Sequence, residues 1–174
     1  ALYHATATLR GLQFECIVDS KINFITLGDA FRIHQVLTNL VSNALKFTQL
    51  GYIRVSISLL KADSKNALVR FSVADSGIGI SEQARLMILN PYMQADNTLA
   101  RVYGGTGLGL AICQQLLKLM DSEIETKSSE GHGSEFSFNL VLPICEMTLF
   151  DSLEWDEKIL RCRQENYCKI KVRP

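Results

Sequence analysis

Glycine is concentrated in a few short stretches of this chain, and that placement is the strongest constraint on its fold. Two pairs, at 77/79 and 131/133, and a cluster of four within 104–109 hold most of the 11 glycines. The segments between these glycines show regular hydrophobic periodicity. Because glycine permits tight turns and close approach of the backbone to a ligand, this pattern predicts helices and strands joined by a few specialised loops.

The composition is that of one ordinary soluble domain. The 174 residues are 47% hydrophobic and 21% charged, and 18 basic residues balance 18 acidic ones. Disorder is therefore excluded as the main state, and a zero net charge gives no electrostatic basis for binding nucleic acid. Five cysteines without a CxxC pair indicate free thiols in a reducing, cytoplasmic compartment. The chain has no apolar run of the roughly 18–20 residues that a membrane span needs.

Periodicity predicts the elements. Alternating hydrophobic and polar residues predict strands at 53–59, 69–73 and 136–142, with shorter strands at 12–18, 24–27 and 123–128. Helical periodicity predicts a long helix from the N-cap Asp29 to Thr48, a second helix over 106–120 and a short helix after Ser81. Short connections between neighbouring strands favour an α+β fold, in which helices cover one face of a mixed sheet.

One face of the long helix carries amides and cations instead of apolar residues. At about 100° per residue, Asn39, Asn43 and Lys46 lie close to one line with Arg32 and Gln35. Amide oxygens are suitable ligands for a Mg²⁺ ion that is bound mainly by a substrate phosphate. Lys46 could bind the same phosphate. The alternative is an ordinary solvated helix face, although asparagine is a poor choice for one.

The segment Asp75–Ile80 directly follows a predicted strand. Its sequence, Asp-Ser-Gly-Ile-Gly-Ile, places a carboxylate at the strand end beside backbone that a ligand can approach. An ionised carboxylate only accepts hydrogen bonds, so its natural partner in an apolar slot is an exocyclic amino group such as that of adenine. An ordinary turn between a strand and a helix is the alternative.

The cluster 104–110 leads into a predicted helix. Glycines at a helix N-terminus leave backbone N–H groups and a positive dipole end available to a phosphate. The segment has neither the lysine of a Walker A loop nor the spacing of a dinucleotide-binding fold. The last pair, in Gly131–Ser134, indicates a turn in which His132 is an exposed loop residue.

Taken in order, these elements resemble the ATP-binding catalytic domain of sensor histidine kinases, including those of hybrid kinases. This domain has the Bergerat fold of the wider family shared by gyrase, heat-shock chaperones and mismatch-repair ATPases. The matching segments are the N box, the first glycine box, the lid with the second glycine box, and the third glycine box: Asn39–Phe47, Asp75–Ile80, Gln94–Leu110 and Gly131–Phe136.

The resemblance implies a two-layer α/β sandwich that binds ATP and Mg²⁺ between the long helix and the glycine-rich lid. Asn43, helped by Asn39, would hold Mg²⁺, Asp75 would accept the adenine amino group, and Lys46 and Arg101 would meet phosphates. Asn43, Lys46 and Arg101 are thus the expected catalytic residues. The other expected nucleotide contacts are Phe47, Gly77, Gly79, Ile80, Gly105, Thr106, Gly107, Leu108, Gly109, Leu110 and Ser134.

The resemblance also implies a domain arrangement and partners. Residues 11–143 would form the catalytic domain, 1–10 the end of a helix from a dimerisation domain outside this chain, and 144–174 a linker or tail. None of the three histidines is followed by the acidic residue of a phosphoacceptor motif. The acceptor histidine is therefore expected on that upstream domain of a homodimeric, cytoplasmic or membrane-anchored parent. The fragment itself is expected to be monomeric, with a response regulator or receiver domain downstream.

Three departures bear on the activity. Asn39 stands where the hydrolysing relatives have glutamate, and an amide is a far weaker base, which favours phosphotransfer over hydrolysis. The mitochondrial dehydrogenase kinases of the same superfamily have lysine where this chain has Ser42. This difference weakens the alternative that the chain is a kinase of that group. Leu89, Asn90 and Tyr92 replace usual lid residues, which supports an alternative: an ATP-sensing pseudokinase without transfer. Separately, Asp121-Ser122 replaces two glycines, a change expected to affect stability more than ATP binding.

Overall fold

A computed structural model describes residues 2–88, 108–145 and 168–170. The helices are α1 (Leu2–Leu9), α2 (Ala30–Phe47), α3 (Glu82–Ile88) and α4 (Leu108–Lys118). The strands are β1 (Gln13–Val18), β2 (Ile25–Gly28), β3 (Tyr52–Ala62), β4 (Asn66–Asp75), β5 (Glu125–Ser128), β6 (Ser134–Cys145) and β7 (Cys168–Ile170).

The described strands form one mixed sheet in the order β1-β3-β4-β6-β2-β7, and β5 pairs with β6 beside this path. The β1–β3 pair is parallel and the others are antiparallel. The register aligns Val55 with Val73 and Phe71 with Phe138, so apolar side chains of neighbouring strands lie on the same face. The predicted mixed sheet is confirmed.

The two faces of the sheet differ in chemistry. Phe71 and Phe138 stack with their ring centroids 5.1 Å apart, and both belong to the buried core shared with α2 and α4. On the opposite face, Arg70 donates to Glu125 at 2.8 Å and to Ser137 at 2.6 Å. One layer of helices therefore packs on the apolar face of the sheet, which confirms the predicted two-layer α/β fold.

The helix α2 begins and ends as the sequence predicts. Asp29 is its N-cap, and the Asp29 carboxylate accepts from the Arg32 backbone N–H at 2.9 Å. Val36 and Leu40 are buried on its core face. At the other end, the Arg10 guanidinium donates to the Leu45 carbonyl at 2.8 Å, which satisfies a carbonyl of the last turn. The segment after α1 is thereby tied to the C-terminal end of α2.

The helix α4 ends in a Schellman motif without the usual glycine. The Ser122 N–H donates to the Leu117 carbonyl at 2.9 Å, and the Asp121 N–H to the Lys118 carbonyl at 3.2 Å. Asp121 has φ +52°, the left-handed conformation that this motif requires. The Ser122 hydroxyl donates to the Asn139 carbonyl at 2.7 Å, which fixes the turn to β6.

The predicted elements all appear within the described residues, with shifted ends. β6 continues to Cys145, two residues past the expected domain end at Pro143. In the segment 144–174, where the sequence gives no regular pattern, Cys168–Ile170 forms a strand that pairs with β2. The division into 1–10, 11–143 and 144–174 stays a prediction. No helix in the described part of the chain is long and apolar enough to cross a membrane.

Candidate functional site

The amide face of α2 is the first component of the site. Asn39, Asn43 and Phe47 follow each other at four-residue intervals, so they lie in one row along the helix, and all three are half-buried. Among the described residues, no hydrogen bond is formed by the Asn43 side chain, which leaves its amide available to a ligand. Lys46 is exposed, with its Nζ 5.0 Å from the centroid of the Phe47 ring.

The first glycine loop, residues 75–80, attaches to the end of this row. The Ile78 N–H donates to the Phe47 carbonyl at 3.3 Å. Gly77 lies so close to α2 that a Cβ atom there would collide with the Phe47 carbonyl. Glycine at this position therefore allows the loop to close onto the helix, which joins two segments that the sequence predicts as parts of one site.

Asp75 is the buried acid of the site. It is 8% exposed, and its Oδ1 accepts from the Gly77 N–H at 2.8 Å and from the Thr48 hydroxyl at 3.5 Å. Burial raises the pKa of this carboxyl group, opposed by hydrogen bonds from Gly77, Thr48 and the Ser134 backbone. The structure thus holds an acceptor at the end of β4, beside the end of α2.

The turn 128–134 supports the first glycine loop from the other side. The Gly131 N–H donates to the Ile78 carbonyl at 2.7 Å. The Ile80 N–H donates to the Ser128 hydroxyl at 2.8 Å, and that hydroxyl lies 2.9 Å from both the Gly133 carbonyl and the Ser134 hydroxyl. The structure therefore brings Ile80 and Ser134 together through Ser128.

Thr48, Ser128 and Cys113 are not among the residues that the sequence pattern predicts for the site. Thr48 follows the N box, and its hydroxyl reaches Asp75 across 27 residues. Ser128 is the last residue of a short strand, where a serine gives no functional signal. Cys113 is buried in α4, its thiol donates to the Val36 carbonyl at 3.8 Å, and burial raises the pKa of that thiol to about 11. His132 is exposed, as predicted.

The start of α4 is the remaining described component. Leu108 opens the helix, Gly109 and Leu110 are half-buried in its first turn, and α4 packs against α2. Gly79 has φ +67° in the first glycine loop. Several predicted site and lid residues lie outside the described part of the chain: Arg101, Gly105, Thr106, Gly107, Leu89, Asn90 and Tyr92.

The polar side chains of the site fit a magnesium-bound nucleotide better than a metal ion alone. The described residues contain no cluster of three or more His, Cys, Asp or Glu side chains that could hold a metal. Asn39 and Asn43 offer neutral amide oxygens, which Mg²⁺ accepts when most of its charge is balanced by substrate phosphates. The buried Asp75 carboxylate, in turn, suits an amino group of the base.

The fold and site define an ATP-binding domain of the Bergerat type, and comparison with known proteins agrees. Residues 28–144 match the family described as histidine kinase-, DNA gyrase B-, and HSP90-like ATPase. This match covers most of the chain. The chain belongs to that family, which confirms the resemblance found in the sequence.

Its relatives include named sensor kinases. The chain is 40% identical over 147 residues to the autoinducer 2 sensor kinase/phosphatase LuxQ of Vibrio cholerae, which covers 83% of this chain and 17% of that protein. It is 47% identical over 116 residues to the sensor protein GacS of Pseudomonas syringae, with 67% and 13% covered. The chain therefore spans less than a fifth of the length of these relatives.

Solved structures agree with the fold. Full-length ShkA, crystallised in complex with AMPPNP, superposes with a TM-score of 0.68 at 32% identity, over 84% of this chain and 29% of that one. The catalytic domain of the histidine kinase ThkA superposes with a TM-score of 0.62 at 29% identity, over 80% of this chain and 86% of that one. The predicted assignment as a histidine kinase-type catalytic domain is confirmed at the level of the family.

Proposed function

We propose that this chain binds Mg·ATP and transfers the γ-phosphoryl group to a histidine on an upstream dimerisation domain of its parent protein. One observation carries the proposal: the buried carboxylate of Asp75 is joined through Thr48 and Gly77 to the end of the amide face of α2. The named sensor kinases and the AMPPNP complex of ShkA support it.

Asp75 binds the adenine base of the nucleotide in this proposal. A carboxylate that is 8% exposed has few water molecules to solvate it, so it gains from a donor that enters its slot. The adenine amino group is such a donor, and a base with an oxygen at that position would meet acceptor against acceptor. Asp75 therefore binds and selects adenine, while Phe47 and Ile80 border the same region at the ends of α2 and the first glycine loop.

The amide face of α2 binds the metal ion and the phosphates of the nucleotide in this proposal. Asn43 and Asn39 would hold Mg²⁺ through their amide oxygens, and Lys46, one turn from Asn43, would bind a phosphate oxygen. When bound, the metal ion supplies positive charge that offsets the charge of the triphosphate. Most of the catalysis in phosphoryl transfer is such positioning and neutralisation, so the chain needs no nucleophile of its own.

The second glycine segment completes the site in this proposal. Gly105, Thr106, Gly107, Leu108, Gly109 and Leu110 would offer backbone N–H groups at the start of α4, and Arg101 would face the terminal phosphate. Asn39 lacks the basicity to activate water, which favours transfer to an imidazole over hydrolysis. The imidazole comes from the parent's dimerisation domain, and a response regulator or receiver domain would take the phosphoryl group onward.

Calorimetric titration with AMPPNP, with Mg²⁺ and with EDTA, tests the nucleotide site. We expect binding that Mg²⁺ strengthens, and we expect Asn43→Ala to lose most of that strengthening while keeping Mg-free binding. Ser42→Ala is the matched control, because Ser42 is exposed on the adjacent position of the same helix. Absence of binding by a folded sample would contradict the proposal.

A chimera tests the transfer. In GacS, this chain would replace the segment that it matches, so that the relative supplies its own acceptor histidine. Labelled ATP should then produce an acid-labile, base-stable phosphoprotein, and the Asn43→Ala chimera should not. AMPPNP binding without labelled product would instead favour the ATP-sensing alternative.

A further inference from the structure

Thr48 connects the end of α2 to the acid of the site. It is the C-cap of α2: its backbone N–H donates to the Ala44 carbonyl at 3.0 Å, and its backbone is extended, with φ −104° and ψ 118°. The residue is 3% exposed, and its hydroxyl donates to Asp75 Oδ1 at 3.5 Å. The last backbone hydrogen bond of the helix therefore holds a residue whose hydroxyl meets the carboxylate at the end of β4.

Two donors from different segments meet at that one carboxylate oxygen. The Gly77 N–H donates to Asp75 Oδ1 at 2.8 Å from within the first glycine loop. The Thr48 hydroxyl comes from α2, 27 residues earlier in the chain. Hydrogen bonds are directional, so a second donor from a fixed helix end narrows the range of orientations that one donor allows. The orientation of the carboxylate is therefore set by α2 as well as by its own loop.

The contact lies where water cannot replace it. Asp75 and Thr48 are both buried, at 8% and 3% exposure. Loss of a donor at such a place leaves the acceptor without a substitute from solvent, which is the costly case for a hydrogen bond. The hydroxyl of Thr48 is thus expected to matter through Asp75, whereas its methyl group contributes only to packing.

We infer that Thr48 is a positioning residue that orients the Asp75 carboxylate toward the amino group of the base, and so contributes to the selection of adenine. This inference rests on the proposed function and deepens it. An amino group binds well only when the acceptor lies near the direction of its N–H bond. A base with an oxygen at that position gains nothing from a well-oriented acceptor. Thr48 therefore acts on the difference in affinity between two bases.

Two variants separate the hydroxyl of Thr48 from its methyl group. Thr48→Val removes the hydroxyl and keeps a branched side chain of nearly the same shape, while Thr48→Ser keeps the hydroxyl and removes the methyl group. Thr26→Val is the control, because Thr26 is also 3% exposed. Thr26 pairs with Ile144, at the opposite end of β6 from Ser134, the partner of Asp75.

The affinities for AMPPNP and for its inosine counterpart are measured by calorimetry on the whole chain. Thr48→Val should lower AMPPNP affinity about three- to tenfold, the usual effect of losing one hydrogen bond. Affinity for the inosine counterpart should stay within about twofold, because that base does not use the carboxylate as an acceptor. Thr48→Ser and Thr26→Val should keep the preference for adenine.

A second readout needs no nucleotide. The Thr48 hydrogen bond favours the ionised form of the Asp75 carboxyl group, so its removal in Thr48→Val should raise the pKa of that group. A ¹³C titration of the Asp75 carboxyl carbon measures this shift. Thr48→Ser should leave the pKa close to that of the wild type.

A double-mutant cycle tests whether Thr48 acts through Asp75. In the Asp75→Asn background, the side chain at position 75 no longer accepts from the amino group. Thr48→Val should then change AMPPNP affinity by less than about twofold. A loss as large as in the wild-type background would show that Thr48 affects binding by another route.

The outcomes separate the inference from the proposed function. If the folded wild type does not bind AMPPNP, the proposed function is wrong and the selection of adenine falls with it. If the wild type prefers AMPPNP and Thr48→Val keeps that preference, or if Thr48→Ser loses as much, Thr48 is only a packing residue. An unchanged Asp75 pKa in Thr48→Val would overturn the inference whether or not nucleotide binds.

Discussion

Several turns among the described residues hold a residue with positive φ, and two of them meet this requirement in different ways. In the turn 128–134, Gly133 has φ +84°, and a Cβ there would collide with the Asp75 carbonyl. In the turn after α4, Asp121 has φ +52° and carries a side chain. The difference shows that the glycine at position 133 serves close packing of backbone, which no other residue allows, whereas at position 121 only a torsional preference is at stake.

The largest expected effect is that of Gly133→Ala. Its Cβ would force the backbone at Asp75 and Ser76 to move, in addition to the cost of positive φ. We expect a loss of about 3 kcal/mol in the free energy of unfolding, measured by urea denaturation. Because the displaced backbone carries the acid of the site, AMPPNP binding should fall with it.

Gly131→Ala is the matched control. Gly131 has φ +78° in the same turn, but a Cβ there would meet nothing within 4 Å. Only the torsional cost remains, about 1 kcal/mol. Equal losses for the two alanine variants would contradict the role of backbone crowding at Gly133.

The second prediction separates the Asp75 side chain from the Asp75 backbone. Asp75→Asn keeps an acceptor for the Gly77 N–H but adds an amide that cannot accept the adenine amino group. We expect roughly 10- to 100-fold weaker AMPPNP binding, the usual loss for a hydrogen bond to a charged group. Calorimetry would measure it, and the inosine analogue should lose much less affinity than the adenine one.

The same substitution should not weaken the fold. Burial raises the Asp75 pKa above its unfolded value. The unfolded state therefore ionises first, so stability falls as the pH rises from about 3.9 through the folded pKa. At pH 7 Asp75→Asn removes that penalty and should unfold at an equal or higher urea concentration, with the advantage shrinking toward pH 4. A clear loss of stability at pH 7 would show that the ionised carboxylate is structurally required.

The fold was largely predictable because one face of the sheet is buried. Because one face of the sheet is buried, hydrophobic and polar residues alternate along each strand, as in 69–73. Because one side of α2 is buried, its hydrophobic residues recur with the helical period. Strand ends, the parallel β1–β3 pairing and the addition of β7 to β2 depend on contacts between distant segments. Local periodicity carries no information about those contacts.

The site was predictable where a residue type is chemically unusual for its position. Asn39 within a helix and Asp75 at a strand end are such cases. Thr48 and Ser128 are common residues in ordinary positions, and their hydrogen bonds to the site arise only when the chain folds. Their contribution could be found only from the three-dimensional contacts.

The smallest expected effect is a gain, from Asp121→Gly. The Schellman motif at the end of α4 already has its two hydrogen bonds, so the substitution changes only the cost of φ +52° for a side chain. Aspartate tolerates this conformation better than most residues, which limits the gain to about 0.5–1 kcal/mol in urea denaturation. AMPPNP binding should be unchanged, because the turn contacts Asn139 on the far part of β6 and not the loop 75–80. A loss of stability would mean that the Asp121 carboxylate stabilises the fold by more than its positive φ costs. The difference between positions 121 and 133 would then depend on side-chain chemistry as well as on the room available for a Cβ atom.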